Sequence, residues 1–142
     1  MRLPLFAAFL LAGCGTAPQA QVDSAYIRLN AVPGRPAAAY FTLRAGTDSL
    51  TLTAVTTPAA ARAELHESMA GAGGMMRMTP LTQVPVPAGA SVTFAPAGRH
   101  VMLFDVAETA RAGTTAPLTL TLGNGKSLTA DAKILAAGDP AP

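Results

Sequence analysis

The sequence has one cysteine, no tryptophan and few charged residues, and each shortage excludes a class of protein. Of its 142 residues 13% are charged, 5% are aromatic and half are hydrophobic, a composition too apolar for a disordered chain. Ten basic and eight acidic residues leave a net charge of +2, without the clustered Lys and Arg of a nucleic-acid-binding surface. The length suits one domain with its own core. We therefore expect a single globular unit that does not bind nucleic acid.

The sequence also lacks the short motifs of the common enzyme classes. It contains no Gly-x-Ser-x-Gly, no His-Glu-x-x-His and no phosphate-binding loop, and its glycine-rich segment Gly71–Gly74 neither follows a clear strand nor opens a helix. We predict that the protein is not an enzyme.

The first residues resemble a bacterial lipoprotein signal. Leu3–Leu11 is apolar but shorter than the roughly 20 residues that a membrane-spanning helix needs. It leads into Leu-Ala-Gly-Cys, which resembles the lipobox in which the cysteine, here Cys14, is lipidated. We expect residues 1–13 to be a signal peptide and residues 14–23 to be the lipidated N-terminus and tether; the alternative is that Cys14 is a small buried side chain in an ordinary signal region. A lipid anchor would be the only membrane contact and would hold an extracytoplasmic, periplasmic domain at the cell envelope.

Beyond residue 23, apolar and polar residues alternate with period two, the pattern of half-buried β-strands. Gly and Pro separate the strands, and Asn124-Gly125 favours a tight hairpin turn. With no convincing helix, we predict an all-β, antiparallel β-sandwich or barrel over residues 24–136, followed by a tail over 137–142. The nine candidate strands are Ala25–Asn30, Ala37–Arg44, Ser49–Thr56, Ala63–His66, Met75–Met78, Ser91–Phe94, His100–Val106, Leu118–Leu122 and Ser127–Leu135.

Both histidines and five of the six methionines lie between His66 and Met102. Residues two apart in a strand share a face, so His100 and Met102 project together and could chelate one ion. The same rule places Met76 with Met78, and His66 with Glu64 on the outer side of their strand. A methionine can also be core filler, and that alternative holds for each methionine taken singly.

Thioether sulfur and imidazole together favour Cu(I), whereas harder ions prefer thiolate, imidazole and carboxylate. Methionine binds without losing a proton and forms no disulfide in an oxidising compartment. Blue-copper electron transfer needs a cysteine thiolate on the metal, which Cys14 cannot supply if it is lipidated. Copper is therefore the predicted cofactor, with Cu(I) preferred. Glu64 and Glu67 are predicted to be solvated charges, with help to Cu(II) or Zn(II) as the alternative.

The spacing of these residues resembles the periplasmic copper chaperones abbreviated PCuAC, whose motif is a His, about ten residues, a Met, 21 residues and then His-x-Met. Here 21 residues separate Met78 from His100, and His100-Val101-Met102 completes the motif. Eleven residues separate His66 from Met78, so Met75 and Met76 remain alternatives for the binding sulfur. Further similar segments are Ala38–Leu43, Glu64–Glu67, Met76–Met78, Val86–Gly89 and Pro117–Leu122.

The resemblance implies a cupredoxin-like or immunoglobulin-like Greek-key sandwich with copper at one end. By position its ligands would be His66, Met78, His100 and Met102, with Met69, Met75 and Met76 as candidate auxiliary sulfurs or rim packing. It also implies delivery of copper to the Cu(A) centre of cytochrome c oxidase, alone or beside a Sco-type thioredoxin-fold protein. We expect the protein to be a monomer. Copper storage is an alternative use of the same site, and a metal-free structural or interaction lipoprotein with methionines in its core is the other alternative.

Overall fold

The computed structural model describes residues 13–142, so that all but the last residue of the predicted signal peptide lies outside the described residues. Within this range the chain forms ten strands and one short 3₁₀ turn, Ala72–Gly74, which confirms the all-β prediction. The described part contains no helix long and apolar enough to cross a membrane. The strands are β1 (Gln21–Arg28), β2 (Ala37–Arg44), β3 (Leu50–Thr56), β4 (Ala60–Ala70), β5 (Met76–Pro80), β6 (Val84–Val86), β7 (Ser91–Phe94), β8 (Arg99–Val106), β9 (Thr115–Leu122) and β10 (Ser127–Leu135).

The strands pair in the order β5-β4-β8-β2-β1-β10-β9-β3-β6, and β7 also pairs with β2. Strand β8 pairs with the first half of β2, at Ala37–Ala39, and β7 pairs with the second half, at Phe41–Arg44. Strands β8 and β7 therefore follow one another along the same side of β2. Strands β3 and β4 contact each other without being paired, because the sheet folds into two packed layers. The neighbouring strands β5, β4 and β8 carry the four predicted ligands His66, Met78, His100 and Met102.

The core follows from the alternation that the sequence shows. In β2, Ala37, Ala39, Phe41 and Leu43 are buried while the residues between them face outward. The rings of Phe41 and Phe94 stack with centroids 4.4 Å apart, an aromatic pair worth about 0.5–1.5 kcal/mol beyond its buried area. The apolar face of each strand therefore fixes which side chains remain on the outer face.

Three features of the sheet differ from the sequence prediction. Strand β6 was not predicted because Pro85 interrupts its three residues; proline is tolerated there because β6 lies at the sheet edge beside β3. Strand β1 begins at Gln21, inside the predicted tether, because its register shifts at a bulge between Asp23 and Tyr26 that interrupts the alternation. Strands β1 and β10 run parallel, so the predicted antiparallel sheet is in fact mixed.

Strand β4 is longer than the predicted Ala63–His66, because it pairs on both sides. Residues Ala60–Glu67 pair with β8, and residues His66–Ala70 pair with β5 after the glycine-rich turn. This double pairing brings β5, β4 and β8 side by side.

Candidate metal centre

The two histidines lie directly opposite each other on β4 and β8. Their ring centroids are 5.9 Å apart. A ring nitrogen lies about 2 Å from a bound first-row metal, which puts two ring centroids around one ion at most about 6.5 Å apart. His66 and His100 are therefore close enough to share one ion.

His100 is buried, with 5% of its surface exposed. Its Nδ1 lies 3.0 Å from the main-chain oxygen of Gly98. A carbonyl oxygen only accepts, so Nδ1 donates its proton and the neutral ring keeps its lone pair on Nε2. That Nε2 is buried without a hydrogen-bond partner.

His66 forms its hydrogen bond through the opposite ring nitrogen, Nε2. Its Nε2 lies 3.0 Å from Oε2 of Glu64, and its Nδ1 is buried without a partner. Residues 13–142 contain three such unpartnered buried side-chain nitrogen or oxygen atoms, and two of them are these ring nitrogens. An unsatisfied buried polar atom costs about 1–3 kcal/mol, so two of them on neighbouring rings are typical of a site that awaits a ligand.

Glu64 joins His66 to Arg62. Its second carboxylate oxygen, Oε1, accepts from Nη1 of Arg62, whose guanidinium lies 4.0 Å from the centroid of the Phe104 ring. The hydrogen bond from His66, together with the smaller effect of the Arg62 charge, holds the pKa of Glu64 below its usual range, against an opposing effect of desolvation. Glu64 therefore stays an ionised acceptor at neutral pH.

The methionines fall on two faces of the β4–β5 hairpin. Met76 and Met78 pair with Ala70 and Ser68 and share one face, as the alternation predicted. The register shows that this face also carries His66. Met69 pairs with Arg77 on the opposite face, and Met75 precedes β5, where its oxygen accepts from the Gly71 amide at 2.6 Å.

The exposure of four methionines argues against core packing. Met69, Met75, Met76 and Met78 each have more than half of their surface exposed. The alternative in which the methionines fill the core is therefore wrong for these four residues. Met102 is half-buried between Glu64 of β4 and Ala38 of β2.

A surface cavity of about 290 Å³ brings three of the four predicted ligands together, since Met78, His100 and Met102 all line it. His66 does not line this cavity, but its ring centroid lies 5.9 Å from that of His100. Tyr40 also lines this cavity, and its ring centroid lies 5.0 Å from that of Tyr26. Burial raises the pKa of the Tyr40 hydroxyl. The structure thus places the four predicted residues on one face and does not bring Met69 to that face.

Two other observations limit where a metal could lie. A larger cavity, of about 400 Å³, lies beyond the far end of β2 and is lined by neither His nor Met. Within residues 13–142, no three side chains drawn from His, Cys, Asp and Glu are arranged to hold a metal ion. The predicted ligands on the cavity face offer imidazole and thioether donors, a set that fits a soft ion.

Sequence reasoning missed the roles of Glu64 and Gly98. Glu64 was predicted to be a solvated charge, but it bonds to both His66 and Arg62. The Glu-x-His spacing was the available signal, since period two puts both side chains on one face. Glu67 and Arg99 form an ion pair at 3.5 Å. The carbonyl of Gly98 carries no side-chain signal at all.

A protein-family model described as "Putative lipoprotein LpqE-like" matches residues 20–134. A search among curated proteins found no match to this chain. The matched region begins just before β1 and ends at the penultimate residue of β10, so it includes nearly all of the sandwich.

Several solved structures share the fold. The copper-bound PCuAC domain from PmoF2 superposes with a TM-score of 0.68 at 20% identity, covering 86% of this chain and 97% of that domain. The solution structure of apo-DR1885 from Deinococcus radiodurans gives 0.63 at 26% identity, covering 98% and 95%. The CuI-DR1885 structure gives 0.56 at 26% identity, covering 87% and 81%. These similarities confirm the resemblance to PCuAC domains and the cupredoxin-like β-sandwich.

Proposed function

The chain belongs to the LpqE-like family, and from this premise we propose that it is an extracytoplasmic copper chaperone. In this proposal it binds one Cu(I) through His66, Met78, His100 and Met102 and passes the ion by ligand exchange to an acceptor protein. It carries out no chemical conversion, and copper is its cargo.

One observation carries the proposal. Two buried ring nitrogens without partners, His66 Nδ1 and His100 Nε2, belong to rings 5.9 Å apart, beside a cavity lined by Met78 and Met102. His100, Met78 and Met102 line this cavity, and no carboxylate does. This donor set favours Cu(I) over Zn(II) or Mg(II). Cu(II) would be the weaker cargo, since it prefers nitrogen and oxygen ligands.

The similarity to DR1885, whose solved forms include CuI-DR1885, supports Cu(I) as the cargo. Ligand exchange needs an accessible ligand, and Met78 offers one because it lies exposed on the edge strand β5. An acceptor can replace the thioether of Met78 while the histidines still hold the ion. The PCuAC resemblance makes the Cu(A) centre of cytochrome c oxidase the proposed acceptor, alone or with a Sco-type protein.

The proposed location is the outer side of the cytoplasmic membrane or another envelope membrane, through a lipid on Cys14. The family description as a lipoprotein supports this location. Cys14 is exposed and lies seven residues before β1, so a lipid there would leave the sandwich free in the aqueous phase.

A Cu(I) titration tests the binding proposal. We expect the purified protein to take up one Cu(I) in competition with a chromogenic Cu(I) chelator, and the double variant His100→Ala/Met102→Ala to lose that stoichiometric uptake. Met69→Leu is the matched control, because Met69 lies on the opposite face of the hairpin and should bind as the unmodified protein does. Unchanged stoichiometry in the double variant would refute the site.

If the unmodified protein takes up no Cu(I), the alternative function, a metal-free interaction lipoprotein, is supported instead. Storage uses the same site as delivery and differs in its partner. Transfer of Cu(I) from the loaded protein to an isolated Cu(A) domain, followed by the absorption of that centre, separates delivery from storage.

A further inference from the structure

We propose that Glu64 is a positioning residue for copper, which orients the ring of His66 so that Nδ1 receives the ion, while the Gly98 carbonyl orients His100 to offer Nε2. This inference rests on the proposed function and specifies how its two nitrogen ligands are held. The two histidines would thus bind the same ion through different ring nitrogens.

The hydrogen bonds support this assignment atom by atom. An ionised carboxylate only accepts, so His66 Nε2, 3.0 Å from Glu64 Oε2, carries the ring proton. The lone pair of the neutral ring is then on Nδ1, which is buried and unpartnered. The same argument at Gly98 leaves the lone pair of His100 on Nε2.

The position of Glu64 is itself fixed from the other side. Its Oε1 accepts from Arg62, and the Arg62 guanidinium packs over the Phe104 ring at 4.0 Å. Phe104 of β8 lies opposite Arg62 of β4, just as His100 lies opposite His66. A chain of contacts, Phe104 to Arg62 to Glu64 to His66, therefore runs along one face of the β4–β8 pair.

Glu64 also supplies charge. Two imidazoles and two thioethers are neutral, so they leave the single positive charge of Cu(I) uncompensated. The Glu64 carboxylate lies within one hydrogen bond of a proposed ligand and opposes that charge. Carboxylates hydrogen-bonded to metal-binding histidines generally both orient the ring and raise its basicity, and their loss costs about 10–100-fold in metal affinity.

The structure offers a matched pair of variants, Glu64→Gln and Glu67→Gln. Both remove one carboxylate charge from β4 near His66, and both carboxylates contact an arginine. Glu67 lies on the other face and pairs with Arg99, so it does not touch the histidine rings. We expect Glu64→Gln to lower Cu(I) affinity about 10–100-fold in chelator competition, and Glu67→Gln to change it by less than about twofold.

Nitrogen-15 NMR of the imidazole rings provides the second readout. In the copper-free protein we expect His66 to be protonated at Nε2 and His100 at Nδ1, and added Cu(I) should shift His66 Nδ1 and His100 Nε2. The His66 ring proton should exchange faster with water in Glu64→Gln than in Glu67→Gln, because its acceptor is altered. A purely structural role for Glu64 would not move this proton.

Two results would overturn the inference while leaving the proposed function intact. One is Cu(I) binding at His66 Nε2, and the other is an unchanged affinity in Glu64→Gln. If Glu64→Gln fails to fold, the nitrogen-15 NMR of the unmodified protein tests the inference, because it shows which nitrogen of His66 binds Cu(I). Absence of any Cu(I) uptake by the unmodified protein would instead refute the proposed function.

Discussion

The candidate site has two dissimilar halves. The histidines lie on the paired strands β4 and β8, largely buried, each held by a hydrogen bond to a fixed acceptor. Met78 lies on the edge strand β5 with 56% of its surface exposed, whereas His100 has 5% exposed. Met102 is intermediate, because it shares β8 with His100 but is only half-buried.

In the proposed function, this difference would separate the ligands that hold copper from the ligand that releases it. The histidines are already oriented, so binding the ion costs them little conformational entropy. An exposed methionine must be ordered on binding, at a cost of up to about 1.5–2 kcal/mol of side-chain entropy. The nitrogen half should therefore supply most of the affinity, and the Met78 half should be the ligand that an acceptor displaces.

The largest effect should follow from His66→Ala. Loss of a direct ligand should exceed the 10–100-fold cost of losing a residue that only orients one, so we expect at least about 100-fold weaker Cu(I) binding. The measurement is chelator competition, with the circular dichroism spectrum as a check on folding. A loss below tenfold would mean that the buried histidines are not the dominant ligands.

A smaller effect should follow from Met78→Leu, which removes the sulfur but keeps the side-chain volume. We expect about tenfold weaker binding, since part of the gain from this ligand is spent on ordering it. Met76→Leu is the matched control, because Met76 shares the strand, the face and the exposure of Met78 but does not line the cavity. Equal effects of the two substitutions would contradict the choice of Met78 over its neighbour.

The smallest effect concerns oxidation of the copper-free protein. In dilute peroxide we expect Met69, Met75, Met76 and Met78 to form sulfoxides at similar rates, and Met102 to react a few-fold more slowly because it is half-buried. A time course by peptide mass spectrometry gives each rate. Ag(I), a redox-inert substitute for Cu(I), should protect Met78 and Met102 selectively; equal protection of Met69 would place the ion elsewhere.

Much of the fold could be predicted from the sequence because strand alternation is local. Strand β2 was predicted with its observed ends, and His100 and Met102 of β8 share one face as predicted. The edge strand β6 escaped because Pro85 breaks the pattern in a segment of only three residues. The parallel pairing of β1 with β10 leaves no mark in either strand's own sequence.

The candidate site likewise has a part that the sequence predicts and a part that it does not. Spacing along the chain selected His66, Met78, His100 and Met102, which remain predicted ligands until copper binding is measured. It could not reveal that Glu64 and Gly98 orient the rings, because one contact depends on a rotamer and the other on a main-chain carbonyl.

The sequence by itself determined the alternation of faces and the soft, thiol-free chemistry of the donors, since both follow from residue type and the period of an extended strand. Only the tertiary structure decided that His66 lies opposite His100, and that Met78 lies on an exposed edge. The reason is physical: strand register arises from hydrogen bonds and core packing between segments far apart in the chain. The sequence thus set the soft donors of the proposed copper site, and the pairing of β4 with β8 brought the two histidine rings within reach of one ion.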